Sequence, residues 1–124
     1  MSGFDYVGTK LRVFTHGPGI QSWEECFRNY GKQHRQDLAN LEMLLKWLGD
    51  QGKLTASKIS HLKPYNLYQV KNKFGFRAVG WFSTGCFVIA EVYLRKQNKV
   101  SKSDAHLLKR VSEIQIEYER RFKR

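Results

Sequence analysis

The chain has 124 residues, of which 41% are apolar and 14% aromatic, so it is long enough for one hydrophobic core and too apolar for a disordered chain. Its 22 Lys and Arg residues against 11 Asp and Glu residues give a formal net charge of +11, which favours a polyanionic partner. No apolar run approaches the roughly 20 residues of a membrane span, and the first residues lack a signal-peptide pattern, so we expect a cytoplasmic protein that contacts no membrane.

The first elements of the chain are a predicted strand and a short helix. Residues 10–17 alternate apolar and polar side chains, and the sequence His-Gly-Pro-Gly follows at residues 16–19, which predicts a strand followed by a turn. Ser22 and Glu25 have the spacing of a capping box, and they predict a helix that begins near Trp23 and ends near Gly31.

A second helix is predicted from leucines that recur every three to four residues from Leu38 to Leu48. Met43 and Trp47 widen its apolar stripe, and Gly49 stands at the expected C-terminal stop. The two helices are therefore expected to form an antiparallel hairpin.

Three strand-like runs follow a polar connection at residues 50–64. They occupy residues 65–72, 76–82 and 86–95, and the short turns between them predict an antiparallel meander. The third run is the most continuously apolar, so it is predicted to be a central strand.

The last element is a helix that follows a basic loop. Ser101 and Asp104 can cap it, and its apolar stripe runs from Leu107 to Phe122. The predicted order is therefore βααβββα, a single α+β domain over residues 1–124 with the helices packed against one face of the sheet.

Positive charge is concentrated in the second half of the chain. Between Lys58 and Arg110 the only acids are Glu91 and Asp104. The same span holds eleven basic residues, which are Lys58, Lys63, Lys71, Lys73, Arg77, Arg95, Lys96, Lys99, Lys102, Lys109 and Arg110. This imbalance predicts a nucleic-acid partner, with an acidic protein partner or a merely basic soluble protein as the alternatives.

The two cysteines, Cys26 and Cys86, lie far apart and belong to no Cys-x-x-Cys or cysteine–histidine cluster. They predict buried free thiols in a reducing compartment, and neither a disulfide nor a metal site.

Two stretches of the second half resemble the RelE/ParE superfamily of toxins from type II toxin–antitoxin systems, most closely the phage-derived HigB-like branch. They are LYQVKNKFGFRAVGWF, residues 67–82, and VIAEVYLRKQNKVSKSDAHLLKRVSEI, residues 88–114. The resemblance lies in the glycine–aromatic–arginine sequence that opens the second meander strand, and in the basic loop before the last helix. Val100 and Ser101 stand where that branch often has Thr-Pro.

The resemblance implies a RelE-like fold and a metal-independent endoribonuclease without a cofactor, which cuts messenger RNA in the ribosomal A site. In such toxins the 2′-hydroxyl attacks the adjacent phosphate, and basic side chains on the sheet carry the charge. The implied partners are the ribosome, messenger RNA and a cognate antitoxin that forms an oligomer with the toxin. ParE-like members share the fold and act on DNA gyrase, so gyrase inhibition is an alternative, as is a phage-derived nucleic-acid-binding regulator without catalysis.

The resemblance makes four residues candidates for the catalytic positions of the family: Lys71, Arg77, Arg95 and His106. The resemblance assigns to Arg77 the scissile phosphate, which a guanidinium can hold with two parallel hydrogen bonds; a surface arginine packed on Trp81 is the alternative. Arg95 is expected to contact phosphate or ribose, and Lys71 to help activate the 2′-hydroxyl. His106 stands where RelE has a tyrosine, and it is the candidate general acid or else an exposed histidine.

Five further residues are predicted to bind RNA: Gln69, Lys73, Lys96, Lys99 and Lys102. Gln69 and Lys73 lie two residues before and two residues after Lys71, so period-two alternation is expected to place all three side chains on one face of the strand. Gln69 stands where the family often has a basic residue, and Lys73 is alternatively a solvated lysine at a hairpin end. At least two of the other three lysines are expected to add only sequence-independent affinity.

Aromatic residues in the predicted strands are the candidates for base stacking. They are Tyr68, Trp81 and Tyr93. Aromatic rings stack on the unpaired bases of RNA, whereas aromatic residues in strands more often belong to the core, and the sequence leaves both roles open.

Overall fold

The structure is a computed structural model that describes residues 3–95 and 102–122, with side chains from residue 105 onward in the second range. Within these ranges the chain forms six strands and three helices. In chain order they are β1 (Asp5–Val7), β2 (Arg12–Thr15), α1 (Pro18–Tyr30), α2 (Arg35–Gln51), β3 (Ile59–His61), β4 (Tyr68–Lys71), β5 (Phe76–Ser83), β6 (Cys86–Leu94) and α3 (Lys102–Phe122). Together they make one small α+β domain.

The six strands form one sheet in the order β1-β2-β6-β5-β4-β3. β2 runs parallel to β6, and every other neighbouring pair is antiparallel. The predicted meander of three strands is therefore present as β4, β5 and β6. β6 lies between β2 and β5, which confirms the central position predicted from its apolar sequence.

The predicted element order lacks two strands, because the observed order is ββααββββα. The missing strands, β1 and β3, lie at the two edges of the sheet and have three residues each. Strands this short show no recognisable alternation of apolar and polar residues. The prediction that residues 50–64 are only a connection is thus wrong for Ile59–His61.

Helices cover both faces of the sheet, and the prediction that they all pack on one face is wrong. Trp23 of α1 and Leu41 of α2 belong to the same hydrophobic cluster as Phe87 of β6. Val111 of α3 belongs to a second cluster, which contains Val88 of β6. Neighbouring residues of a strand point to opposite faces, so a central strand that is apolar on both faces requires a helical layer on each side.

Helix α1 begins at Pro18, five residues before the predicted start, and the predicted capping box is wrong. Ser22 is buried inside the helix, where its Oγ accepts a hydrogen bond from the backbone N–H of Val92 at 2.9 Å. The Sγ of Cys26 donates to the carbonyl of Val92 at 3.5 Å. Because the pairing of β2 with β6 ends at Ile89, these α1 side chains satisfy the β6 backbone beyond that point.

Helix α2 continues past Gly49, where the sequence predicts its end, and stops at Gln51. Gly52 caps the helix in the left-handed conformation. The carbonyl of Gly49 accepts hydrogen bonds from the backbone N–H groups of Lys10 and Leu11, so this glycine holds the β1–β2 turn against the helix. No helix in the described ranges combines the length and the apolar character that a membrane span needs.

Candidate nucleic-acid interface

A cleft of about 660 Å³ lies between α2 and the end of the sheet that β4, β5 and β6 form. Five of its lining residues are cations, and none of the described lining residues is acidic. The cations are Lys58, Lys71, Lys73, Arg77 and Arg95. They come from separate segments of the chain, so the fold assembles this basic cleft.

The β4–β5 pair positions the first two predicted catalytic residues. Lys71 and Arg77 are direct partners across the antiparallel ladder, and Arg77 also pairs with Tyr93 of β6. Directly opposed residues have Cβ atoms about 4.5–5.5 Å apart, so the Lys71 and Arg77 side chains leave the sheet side by side. Both are partly buried, which restricts their motion and leaves part of each side chain accessible to a ligand.

Asn72 ties the turn between β4 and β5 to helix α2. Its Nδ2 donates to the carbonyl of Asp37 on α2 at 2.8 Å. Its Oδ1 accepts the backbone N–H groups of Phe74 and Phe76, both at 3.1 Å. The side chain is almost completely buried. The two bonds to Phe74 and Phe76 hold the shape of the turn, and the bond to Asp37 holds the turn against α2. Two parts of the cleft lining, the turn and α2, are thereby held together.

Gly75 brings Arg95 to the cleft. Its φ of +96° lies in the region that favours glycine, and its carbonyl accepts the backbone N–H of Arg95 at 2.8 Å. A Cβ at this position would lie 2.7 Å from the carbonyl oxygen of Arg95. The buried Nε of Arg95 has no hydrogen-bond partner in the described part of the chain.

Lys58 reaches the cleft because strand β3 pairs with β4. The carbonyl of Lys58 accepts the backbone N–H of Lys71 at 2.9 Å and continues the ladder by one residue. The sequence shows Lys58 only as the first cation of the basic half, and strand β3, which places it here, is too short to be recognised.

The opposite wall of the cleft is a face of α2. Asn40, Met43 and Trp47 are spaced by three and four residues and all line the cleft. Met43 is 39% exposed and Trp47 is 42% exposed, so these two residues widen the apolar stripe of α2 on its exposed side. The leucines of α2 occupy the face directed at the sheet, and these two side chains lie on its flank.

Four of the predicted site residues, Lys71, Lys73, Arg77 and Arg95, are brought together in the cleft. Lys73 lies in the turn after β4, so it does not share a strand face with Lys71 as predicted. Gln69 is on β4 but is 7% exposed and does not line the cleft. Lys96 and Lys99 lie outside the described residues, as do the side chains of Lys102 and of the predicted caps Ser101 and Asp104.

His106 is exposed on α3 and does not line the cleft. Helix α3 runs antiparallel to β6. A guanidinium nitrogen of Arg110, in the first half of α3, lies 3.3 Å from a carboxylate oxygen of Glu91, whereas Tyr118, near the end of α3, contacts Cys86 at the start of β6. The N-terminal end of α3 therefore points toward the end of the sheet that carries the cleft. Burial raises the pKa of Glu91, and Arg110 opposes this shift.

The strand aromatics belong largely to the core. Trp81 is fully buried, and its ring packs against Tyr118 of α3 with 5.6 Å between centroids. Tyr68 and Tyr93 are partly buried and pack against the two hydrophobic clusters. The exposed aromatic side chain that lines the cleft is Trp47, which the sequence predicts as part of the helix stripe.

Within residues 3–95 and 102–122, no group of three histidine, cysteine, aspartate or glutamate side chains is placed to hold a metal ion. Comparison of the chain with models of known protein families finds no match, and comparison with curated proteins finds none. What the cleft binds is therefore inferred from its own residues.

Proposed function

We propose that the chain is a RelE- and HigB-like endoribonuclease toxin that cuts messenger RNA in the ribosomal A site, with the basic cleft as its RNA-binding site. One observation carries this proposal: Lys71, Lys73, Arg77 and Arg95, singled out from the sequence, line the same cleft. A cleft with five cations and no acid among its described lining residues attracts a polyanion.

The topology supports the same proposal. Without the two edge strands, the observed order is βααβββα, and the first strand of that order runs parallel to the last. The glycine–aromatic–arginine sequence spans Gly75, Phe76 and Arg77, and it has two separate structural roles. Gly75 allows the approach of Arg95, and Arg77 is the second residue of β5 and pairs with Lys71.

The proposed reaction uses only groups of the RNA and of the protein. The 2′-hydroxyl loses its proton to a base, its oxygen bonds to the adjacent phosphorus, and the bond from phosphorus to the 5′-oxygen breaks. A 2′,3′-cyclic phosphate and a 5′-hydroxyl result. In this proposal Lys71 assists proton removal, Arg77 stabilises the charge that develops on the phosphate, and Arg95 holds a neighbouring phosphate or ribose. His106 is the proposed proton donor to the 5′-oxygen.

A cognate acidic antitoxin is the proposed protein partner. An acidic segment laid over the region of residues 71–102 would neutralise the cations and block RNA entry together. The affinity of such a complex should fall as salt is added, because exposed charges are screened. A complex whose affinity ignores salt contradicts this part of the proposal.

A nucleic-acid-binding regulator without catalysis is the second candidate function. It is favoured by one observation: the described residues that line the cleft include no histidine, tyrosine or carboxylate to donate a proton. Inhibition of DNA gyrase is less favoured, because that activity requires no cluster of phosphate-binding side chains.

Induced expression followed by mapping of RNA 5′ ends distinguishes these functions. We expect growth arrest, early loss of translation, and new 5′ ends in translated transcripts but not in untranslated ones. Arg77→Ala should abolish these effects. The matched control is Arg120→Ala, which removes an equal charge from an exposed ion pair with Glu117 on α3 and should leave the effects intact. Early arrest of DNA synthesis with double-strand breaks would favour gyrase, and expression without arrest or cleavage would favour the regulator.

A further inference from the structure

Two cations of the sheet end, Lys71 and Arg77, leave the sheet on the face that α3 covers. Val70 of β4 and Phe76 and Ala78 of β5 belong to the hydrophobic cluster on the α1 and α2 side. Successive residues of a strand point to opposite faces. Lys71 follows Val70, so its side chain points to the α3 face. Arg77 lies between Phe76 and Ala78, so its side chain points there too. A phosphate that these two cations hold together therefore lies on the α3 face.

Tyr93 lies on the same face, next to Arg77. The two residues are direct partners in the antiparallel pairing of β5 with β6, and Tyr93 packs against the second hydrophobic cluster, which contains Val111 of α3. Arg77 pairs in turn with Lys71 of β4. Lys71, Arg77 and Tyr93 therefore form a row across three neighbouring strands, with about 5 Å between neighbouring Cβ atoms. We call this set the cross-strand row.

The first two members of the cross-strand row carry like charges. Directly opposed like charges destabilise a sheet, and Lys71 and Arg77 are both partly buried, which strengthens their repulsion. Glu91, the acidic residue of β6, forms an ion pair with Arg110 of α3. An anion bound between Lys71 and Arg77 would convert the repulsion into two charge-assisted hydrogen bonds. The arrangement is therefore that of a site for an anion on the α3 face.

The third member of the cross-strand row adds a hydrogen-bond donor without adding charge. Lysine and arginine side chains only donate, and a tyrosine hydroxyl can donate one hydrogen bond, whereas the oxygens of an ionised phosphate accept. A tyrosine whose ring packs in the core uses its hydroxyl for a polar partner. Tyr93 is partly buried and has its ring against the second cluster, so it is a tyrosine of this kind.

We infer that the phosphate held by Arg77 lies on the α3 face of the sheet, and that the Tyr93 hydroxyl donates a hydrogen bond to it. The inference rests on the proposed function and adds a substrate-binding residue to it. It gives Tyr93 a phosphate as its ligand, where the sequence suggests an RNA base.

Tyr68 provides a matched control on the opposite face. It is also partly buried, and it lies on β4, as Lys71 does. Its ring packs against the cluster on the α1 and α2 side and stacks on His61 with 4.8 Å between centroids. Removing the Tyr68 hydroxyl is the same chemical change as removing that of Tyr93, but it leaves the α3 face untouched.

The test measures how tightly the protein binds a short single-stranded RNA that is 2′-O-methylated, so that it cannot be cleaved. Fluorescence anisotropy follows the binding of this RNA, and of the same strand carrying abasic residues, at several salt concentrations. The protein variants are Tyr93→Phe, Tyr68→Phe and Arg77→Ala. Both phenylalanine variants keep the ring that packs in the core, so they are expected to fold, and thermal melts check this.

We expect Tyr93→Phe to bind the intact strand about tenfold to a hundredfold more weakly than the parent, because it loses a hydrogen bond to a charged group. Tyr68→Phe should bind within about twofold of the parent. The abasic strand should show the same loss in Tyr93→Phe, because the lost bond goes to a phosphate. The salt dependence should not change in Tyr93→Phe, which keeps every charge, whereas Arg77→Ala should reduce its slope by about one.

Several results would overturn the inference. A folded Tyr93→Phe protein that binds like the parent would remove the hydroxyl from the phosphate. A loss confined to the intact strand would place the Tyr93 ring on a base. A reduced salt slope in Tyr93→Phe would mean that Tyr93 acts by positioning Arg77, and an equal loss in Tyr68→Phe would remove the distinction between the two faces. If Arg77→Ala still weakens RNA binding in these cases, the proposed function survives; if neither Arg77→Ala nor Tyr93→Phe weakens it, both fail.

Discussion

Replacing Asn72 by alanine should destabilise the fold and disturb the cleft together. The substitution removes the bond to the Asp37 carbonyl at 2.8 Å and the two bonds from Phe74 and Phe76 at 3.1 Å. Each hydrogen bond contributes about 0.5–1.5 kcal/mol net, and the N–H of Phe76 is left without its partner in a buried place. The Phe74 N–H lies in an exposed turn and can bind water instead. We therefore expect a loss of about 2–3 kcal/mol.

Urea unfolding followed by circular dichroism measures this loss, and RNA anisotropy below the unfolding transition measures the effect on the cleft. Asn40→Ala is the matched control, because Asn40 lines the same cleft but its side chain makes no hydrogen bond to the described residues. It should change stability by less than about 0.5 kcal/mol. If Asn72→Ala were as stable as Asn40→Ala, the turn would not be held to α2 in the way argued above.

Three more predictions concern buried or partly buried groups outside the cleft. Ser22→Ala should cost about 1–3 kcal/mol in urea unfolding, because the buried Val92 N–H loses its acceptor; a change below about 0.5 kcal/mol would contradict the role of α1 as the cap of β6. Cys26 is 5% exposed, and burial raises its pKa to about 11. In a Cys86→Ala variant, a thiol reagent at neutral pH should therefore label Cys26 only as fast as the protein unfolds. Rapid labelling of the native protein would contradict the burial of Cys26. Burial, with a smaller effect of a nearby arginine, lowers the pKa of His16 below its ordinary 6.5, so the unfolded state takes up the proton first as pH falls. The His16 contribution to stability should therefore be present above pH 6.5 and lost below it as pH falls through the lowered pKa. The melting temperature should fall less between pH 7.5 and pH 5.5 in His16→Gln than in the parent. Equal falls in the two proteins would show that His16 does not contribute to the pH dependence of stability.

The strands of the meander were predictable because each is long enough, or apolar enough, for its periodicity to show. The same holds for Arg77 and Arg95, which are fixed to the end of the sheet by recognisable strand boundaries. Strand β3 has three residues and was missed, and with it the approach of Lys58 to the cleft. The position of a site residue in the sheet is thus predictable only where the strand that carries it can be recognised from its sequence.

Ser22 and Trp47 show a second limit, because their roles depend on tertiary packing. The spacing of Ser22 and Glu25 satisfies the local rule for a capping box, yet the chain uses Ser22 to complete the backbone hydrogen bonds of a strand 70 residues away. Trp47 satisfies the apolar periodicity of α2, yet α2 meets the sheet through its leucines and leaves Trp47 facing the cleft. Neither outcome is encoded in the spacing of neighbouring residues.

The central claim is that Arg77 holds the scissile phosphate of messenger RNA, and single-turnover cleavage on programmed ribosomes tests it most directly. A fixed guanidinium stabilises the extra negative charge of the transition state more than that of the bound substrate. Arg77→Ala should therefore cleave about 100- to 1,000-fold more slowly than the parent, with a smaller effect on ribosome binding, and Arg77→Lys should recover little of the rate. Arg120→Ala should cleave like the parent. An Arg77→Ala protein that melts like the parent and cleaves within a few-fold of its rate would contradict the claim, as would a parent that cleaves no RNA on the ribosome.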